Sequence, residues 1–199
     1  TARGTANINT WNVVTGERRV NNVVTQPPRT VRQRDPLAQS FFIPDQDGVF
    51  LSKVDIFFQT KDDTIPVSLE LRPMINGSPA ANETIPGSRV FKSPSAVTTS
   101  ADATAATAFE FEEPVFLLPY EEYAVVLIAE TDNYNVYIAE TEQFILGSTE
   151  KRITSQPTLG SLFKSQNTTT WSPDQTKDLM FKLYRANFST AASNAILRN

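Results

Sequence analysis

Five glutamates are the first residues to weigh as chemistry: Glu110, Glu112 and Glu113 in one stretch, with Glu121 and Glu122 a few positions on. Two carboxyl groups roughly 5 to 9 Å apart across a sugar are what glycoside hydrolysis needs. Glu110 and Glu112, however, alternate with Phe109 and Phe111, so they fall in the polar phase of a strand, where side chains face water. Asp45-Gln46-Asp47-Gly48 has the composition of a calcium loop but lacks that motif's third ligand and closing glutamate, and it reads as an Asp/Gly turn. Asp62-Asp63 and Asp132-Asn133 read the same way. The 199 residues contain no His and no Cys. This removes thiolate nucleophiles, Ser-His and Cys-His hydrolytic arrangements, histidine acid-base chemistry, disulfides and the usual zinc sites. Neither glycine-rich phosphate-binding pattern occurs. The expectation is a chain that is not an enzyme, with no catalytic residues, no cofactor and no metal.

Charge gives a second lead. Residues 1–34 hold six arginines against a single acid, Glu17, a local balance of +5, and the remainder carries −9 of the overall −4. Six arginines spread over 34 residues are sparse beside the dense or aromatic-spaced clusters that grip phosphate, so no nucleic acid is expected. Arg18, Arg19, Arg29, Arg32 and Arg34 are better placed to dock an extended arm on acidic protein, including a neighbouring copy. Among the aromatics, Phe57, Tyr137 and Trp171 are candidate surface contacts, and with Tyr134 they could form a sugar-stacking platform. A glycan receptor is therefore the alternative partner. No run of 18 apolar residues occurs, so no membrane insertion is expected. The chain starts at Thr1 rather than Met and is expected to be an excerpt or a processed product.

The elements that must position these residues are strands. Leu51 to Gln59 alternates, with Val54, Ile56 and Phe58 on one face and Lys53, Asp55 and Phe57 on the other. Val67, Leu69 and Leu71 face one way while Ser68, Glu70 and Arg72 face the other, the pattern of a half-buried antiparallel strand. Tyr123 to Ala129 is apolar on both faces, as a covered central strand should be, and Tyr134, Val136 and Ile138 read as its hairpin partner across Thr131-Asp132-Asn133. Asn76-Gly77-Ser78-Pro79 and Ser172-Pro173-Asp174 read as turns, and Pro86 to Thr107 as a long connection. In the arm, Trp11 to Val14 and Arg18 to Val24 read as a short hairpin about Thr15-Gly16, ended by Gln26-Pro27-Pro28. Phe188, Ala192 and Ile196 have helical spacing, with Ser189 as a cap. Eight to ten short strands and no βα alternation predict an all-β fold, a two-sheet antiparallel β-sandwich of jelly-roll type. Its divisions are an extended basic N-terminal arm (1–34), the sandwich (35–188) and a C-terminal tail or short helix (189–199).

A series of segments carries a resemblance. It begins with Asp35-Pro36-Leu37-Ala38-Gln39-Ser40-Phe41 and Gly48-Val49-Phe50-Leu51-Ser52-Lys53-Val54-Asp55-Ile56-Phe57-Phe58. Pro66-Val67-Ser68-Leu69-Glu70-Leu71-Arg72-Pro73-Met74-Ile75-Asn76-Gly77-Ser78-Pro79 follows. The series closes with Gln156-Pro157-Thr158-Leu159-Gly160-Ser161-Leu162-Phe163-Lys164-Ser165-Gln166-Asn167, then Thr170-Trp171-Ser172-Pro173-Asp174 and Asp178-Leu179-Met180-Phe181-Lys182-Leu183. Over residues 35–188 the chain resembles the β-sandwich module of tail and baseplate structural proteins of contractile-tailed bacteriophages, the cyanophage-type myoviruses in particular. The resemblance implies a non-enzymatic virion protein of the tail baseplate or tail-fibre attachment apparatus, assembled in the host bacterial cytoplasm. Its implied partners are other tail and baseplate proteins and further copies of itself. No catalytic residues carry over with it.

Overall fold

The computed structural model describes residues 7–11, 18–19, 36–143, 151 and 160–188. Among them the regular elements are strands and one 3-10 turn, Pro94–Ala96. In chain order the strands are β1 (Asn7–Trp11), β2 (Arg18–Arg19), β3 (Leu37–Phe42), β4 (Val49–Ile56), β5 (Phe58–Thr60), β6 (Val67–Ile75), β7 (Ser78–Pro79) and β8 (Val90–Lys92). They continue as β9 (Thr107–Leu117), β10 (Glu122–Ala129), β11 (Asn135–Glu140), β12 (Leu162–Lys164), β13 (Ser172–Asp174), β14 (Lys177–Leu179) and β15 (Phe181–Asn187).

One sheet has the order β1-β15-β4-β9, and a larger one runs β13-β12-β3-β10-β6-β7 with β8 also on β6. A small third group gathers β14, β2 and β5 on β11. The strands β3, β4, β6, β9 and β10 alternate between the two large sheets, so their connections cross the ends of the sandwich in the jelly-roll manner. The fold is thus the expected all-β sandwich of antiparallel sheets.

The core lies where the inward phases meet. Leu51, Val54, Ile56, Phe109, Leu117, Phe181 and Leu183 from the first sheet pack on Phe41, Leu69, Leu71, Tyr123, Val125 and Leu162 from the second. Each fully buried aliphatic side chain stabilises the fold by roughly 1.5 to 3 kcal/mol. Leu51 and Val54 are three apart yet both point inward, because the β4–β9 register shifts between Leu51 and Lys53, and a bulge resets the alternation. β10 is the expected central strand. Its other face, Ala124 and Val126, joins Ala38, Phe163 and Trp171 in a second apolar layer.

Several local expectations are corrected. β10 and β11 are not a hairpin: both edges of β10 are taken by β3 and β6, so β11 pairs with β14, β2 and β5 instead. Ser172–Asp174 is a strand paired with β12, and the turn lies just after it. The outward phase of β6 is not solvated, because Glu70 and Arg72 are buried under loops described below. In the arm, Asn7–Trp11 pairs with β15 and Arg18–Arg19 with β11, so these two pieces extend the body's sheets, and the rest of the expected hairpin of Trp11 to Val14 with Arg18 to Val24 lies outside the described residues. Arg29, Arg32 and Arg34 and the 189–199 tail lie outside the described residues.

Candidate functional site

The aromatic residues expected at the surface are inside. Phe57 and Tyr137 are buried in a small cluster with Ala103, Ala139 and Met180, and the Tyr137 hydroxyl donates to the Ser100 carbonyl at 2.7 Å. Trp171 is buried over the outer apolar layer, with the Arg72 guanidinium 6.0 Å from its ring. None of the three offers a face to a partner. The reason is shared: in a sandwich whose outer face is covered by loops, an outward-phase aromatic becomes a second-layer core residue.

The glutamates stand where the alternation put them. Glu110, Glu112 and Glu113 are exposed on β9, an edge strand of its sheet, where charge and Pro114 discourage unwanted strand pairing. Among the described residues no group of three Asp or Glu side chains is placed to hold a metal ion. Asp45 to Gly48 is a turn: Gly48 has φ of 72°, and a Cβ there would sit 2.5 Å from the Leu117 carbonyl. Asp62 is a turn anchor, accepting hydrogen bonds from the Thr64 and Ile65 N–H groups at 2.7 and 2.8 Å and from the side chains of Thr131 and Asn133 at 2.9 and 2.6 Å.

A cavity of about 650 Å³ opens at the end of the sandwich where β3 begins, lined by Leu37, Tyr134, Asn135, Lys164, Asn167 and Thr170 among others. Two of its polar side chains are engaged internally. Asn135 Nδ2 donates to Thr60 Oγ1, and Asn167 Oδ1 accepts from the Thr169 and Thr170 N–H groups at 3.0 and 2.8 Å. They hold the connections that form the cavity's mouth.

The opposite end differs. Of the eight large hydrophobic side chains exposed among the described residues, seven (Phe42, Phe50, Ile75, Phe116, Leu118, Tyr120 and Phe188) belong to strand termini or connections at this end. The register establishes it: Phe42 pairs with Glu122, Tyr123 with Pro73, Val49 with Leu117 and Arg185 with Leu51. The Ile43 N–H bonds to the Glu121 carbonyl at 3.0 Å and the Tyr120 N–H to the Ile43 carbonyl at 2.8 Å, tying the two crossing connections together. Phe50 and Phe116 are cross-strand partners with ring centroids 4.8 Å apart, and Phe188 meets Phe50 edge-on at 5.1 Å. Each of the three rings is 41% exposed or more. The connections and strand positions of this same end also carry Asp45, Asp47, Glu112, Glu113, Glu121 and Glu122, with Arg185 paired to Asp45 at 3.1 Å. Exposed rings in mutual contact beside charged side chains are the signature of an interaction surface.

A signal for this surface exists in the sequence. Val49-Phe50-Leu51 and Val115-Phe116-Leu117 are apolar in both phases of a strand at its end, and the register lays one triplet against the other.

Fold and site together define an all-β sandwich whose apolar end faces outward. No protein-family model matches the chain, and no curated protein matches it. Among solved structures it is similar to one described as the cysteine protease and lectin-like domains of Cwp84, a surface layer associated protein of Clostridium difficile. That match has a TM-score of 0.52 and 13% identity, covering 77% of this chain and 32% of that one. The likeness is one of fold.

Proposed function

We propose that the chain is a non-enzymatic structural module of a bacteriophage virion, from a tail baseplate or tail-fibre attachment protein, and that it mediates protein–protein assembly. The observation that carries the assembly reading is the exposed Phe50, Phe116 and Phe188 group beside acidic side chains. The resemblance of the segments across residues 35–188 supports the virion setting. The polar clusters of the body support the same view, since Asp62, Asn167 and Arg72 bond to backbone groups and hold loops. A gold-labelled antibody against the chain should decorate the tails of purified contractile-tailed particles from its source. Bare tails on particles that are otherwise intact would overturn the reading.

One observation favours a second reading, glycan binding. Phe91 is 67% exposed beside a groove of about 400 Å³ that also holds Arg89, Ser68 and Thr168, and the solved structure of similar fold includes lectin-like domains. An aromatic face beside a guanidinium suits a sugar. A glycan array separates the two: the assembly reading expects no signal, and saturable binding abolished by Phe91→Ala would favour the glycan.

A further inference from the structure

The aromatic end has a cation-bearing counterpart in the sequence itself. Gln26-Pro27-Pro28-Arg29-Thr30-Val31-Arg32-Gln33-Arg34 combines prolines, one aliphatic side chain and three arginines. Prolines bias such a stretch toward an extended form with little ordering entropy left to lose, and extended proline segments dock on aromatic-lined surfaces. Arginines fit carboxylates better than lysines would, through their planar fork of donors. The prolines stand at one end of the stretch and Val31 lies between Arg29 and Arg32, so apolar groups and three positive charges run together along it and complement exposed rings beside acidic side chains.

The stretch cannot lie fully on the aromatic end of its own copy. Arg34 precedes Pro36 by two residues and Arg32 by four, and Pro36 leads into the start of β3, whose far end, Phe42, is the aromatic one. Six residues of β3 span about 20 Å. Two residues reach at most about 7 Å and four about 14 Å. Covalent reach therefore keeps Arg34 off the rings of its own copy, so only a neighbour's rings can engage the whole stretch.

We infer that the aromatic end of one copy receives the Pro27–Arg34 stretch of a second copy, in a head-to-tail contact. This rests on the assembly reading and names its partner. Such a contact is heterologous, so it propagates to rings or open chains rather than stopping at a pair. The six exposed side chains Phe42, Phe50, Phe116, Leu118, Tyr120 and Phe188, each about half exposed, present roughly 600 Å². A standard interface takes about 800 Å² per partner. The acidic side chains must contribute the remainder, and the association should weaken as salt rises.

The test is sedimentation velocity of the full chain from low to several hundred micromolar, at low and high salt. Wild type should form concentration-dependent oligomers larger than dimers. Two variants, Phe50→Ser/Phe116→Ser and Arg29→Glu/Arg32→Glu/Arg34→Glu, should each lose affinity by about tenfold or more. Mixed together, they should form a dimer that grows no further, because one intact aromatic end and one intact arginine stretch remain. Far-ultraviolet circular dichroism checks that both are folded, and Glu121→Lys/Glu122→Lys replaces the phenylalanine variant if that one is not. A wild-type chain that stays monomeric overturns the inference, as does a mixture of folded variants that yields no dimer. Self-association unaffected by the arginine changes would also overturn it. A monomeric chain that still decorates tails defeats this contact alone, whereas bare tails defeat the assembly reading whatever the oligomeric state.

Discussion

Arg72 and Glu70, two residues apart on the outward face of β6, form a buried ion pair in which Arg72 Nε donates to Glu70 Oε1 at 2.6 Å. Arg89 closes on the other carboxylate oxygen, also at 2.6 Å. The second arm of Arg72 donates to three carbonyls, Ala80 and Thr168 at 2.9 Å and Ala81 at 3.1 Å. One guanidinium thus fastens two loops, separated in sequence by β8 to β12, over the same sheet face. Those loops in turn bury Trp171 and the outer apolar layer.

Replacing Arg72 with Ala should therefore destabilise the fold by about 3 kcal/mol, because it strips three carbonyls of a donor and leaves Glu70 buried with one cation fewer. The double change Glu70→Leu/Arg72→Met should recover a large part of that loss, since an apolar pair of similar volume escapes the desolvation penalty. Urea unfolding of the three proteins measures both. A loss below about 1 kcal/mol for the single variant, the size of an exposed pair, would mean that the loops do not close over β6.

Acid should act on Asp62. Its carboxyl is held well below the ordinary 3.8, first by the Ile65 N–H, then by the Thr64 N–H and the Asn133 side chain. A depressed folded-state pKa means that the unfolded chain binds the proton more readily. The contribution is complete above the unfolded value and is lost as pH falls below about 4 toward the folded value. Denaturant unfolding across the acid range should show a stability decline that is shallower in Asp62→Asn, which is also less stable at neutral pH. Parallel profiles for the two proteins would remove Asp62 from the acid response.

Alternation made the inward halves of β4, β6, β9 and β10 legible, because Val54, Ile56, Leu69, Leu71 and Phe109 have one environment to satisfy. It could not tell what covers the outward halves. A Ser-x-Glu-x-Arg phase looks the same under water as under the loop that carries Thr168. Nor could it choose pairings for β10, whose partners β3 and β6 lie about 50 to 90 residues away, when a turn beside it suggested β11. For the aromatic end, Phe50 and Phe116 were visible as residues but not as a pair. Their meeting depends on the β4–β9 register, which the bulge at Leu51 to Lys53 adjusts.

Gly160 should tolerate no side chain. A Cβ at that position would lie 1.9 Å from the Ser40 carbonyl oxygen and 3.0 Å from Gln39 Nε2. Ser40 is fixed there by mutual bonds with Ser161, its N–H donating to the Ser161 carbonyl and its hydroxyl oxygen accepting from the Ser161 N–H, both at 3.0 Å. Gln39 is held in the core by Asp178 Oδ1 at 3.0 Å and the Leu179 N–H at 2.8 Å. Neither neighbour can yield without breaking buried hydrogen bonds. Gly160→Ala is expected to lower stability by roughly 2 to 3 kcal/mol, read as a lower urea midpoint at unchanged slope. A midpoint within error of wild type would place Gly160 away from β3.

Alkaline titration isolates the outer face of the β4–β15 pair. The Tyr184 hydroxyl donates to Asp55 Oδ2 at 2.7 Å, and Lys53 Nζ lies 3.9 Å from the centre of its ring. Burial, and then the hydrogen bond and charge of Asp55, push the phenol up to about 12. The folded state keeps its proton where the unfolded chain has lost it, so this contribution is whole below the ordinary value of 10.0 and is lost as pH rises from 10 toward 12. Ultraviolet titration should find Tyr184 among the last of the five tyrosines to ionise. Tyr184→Phe should delete that late step, and Asp55→Asn should move it down by removing the carboxylate's charge. A late step that survives in Tyr184→Phe unchanged in amplitude would assign it elsewhere, first to Tyr134, whose phenol is also raised by burial.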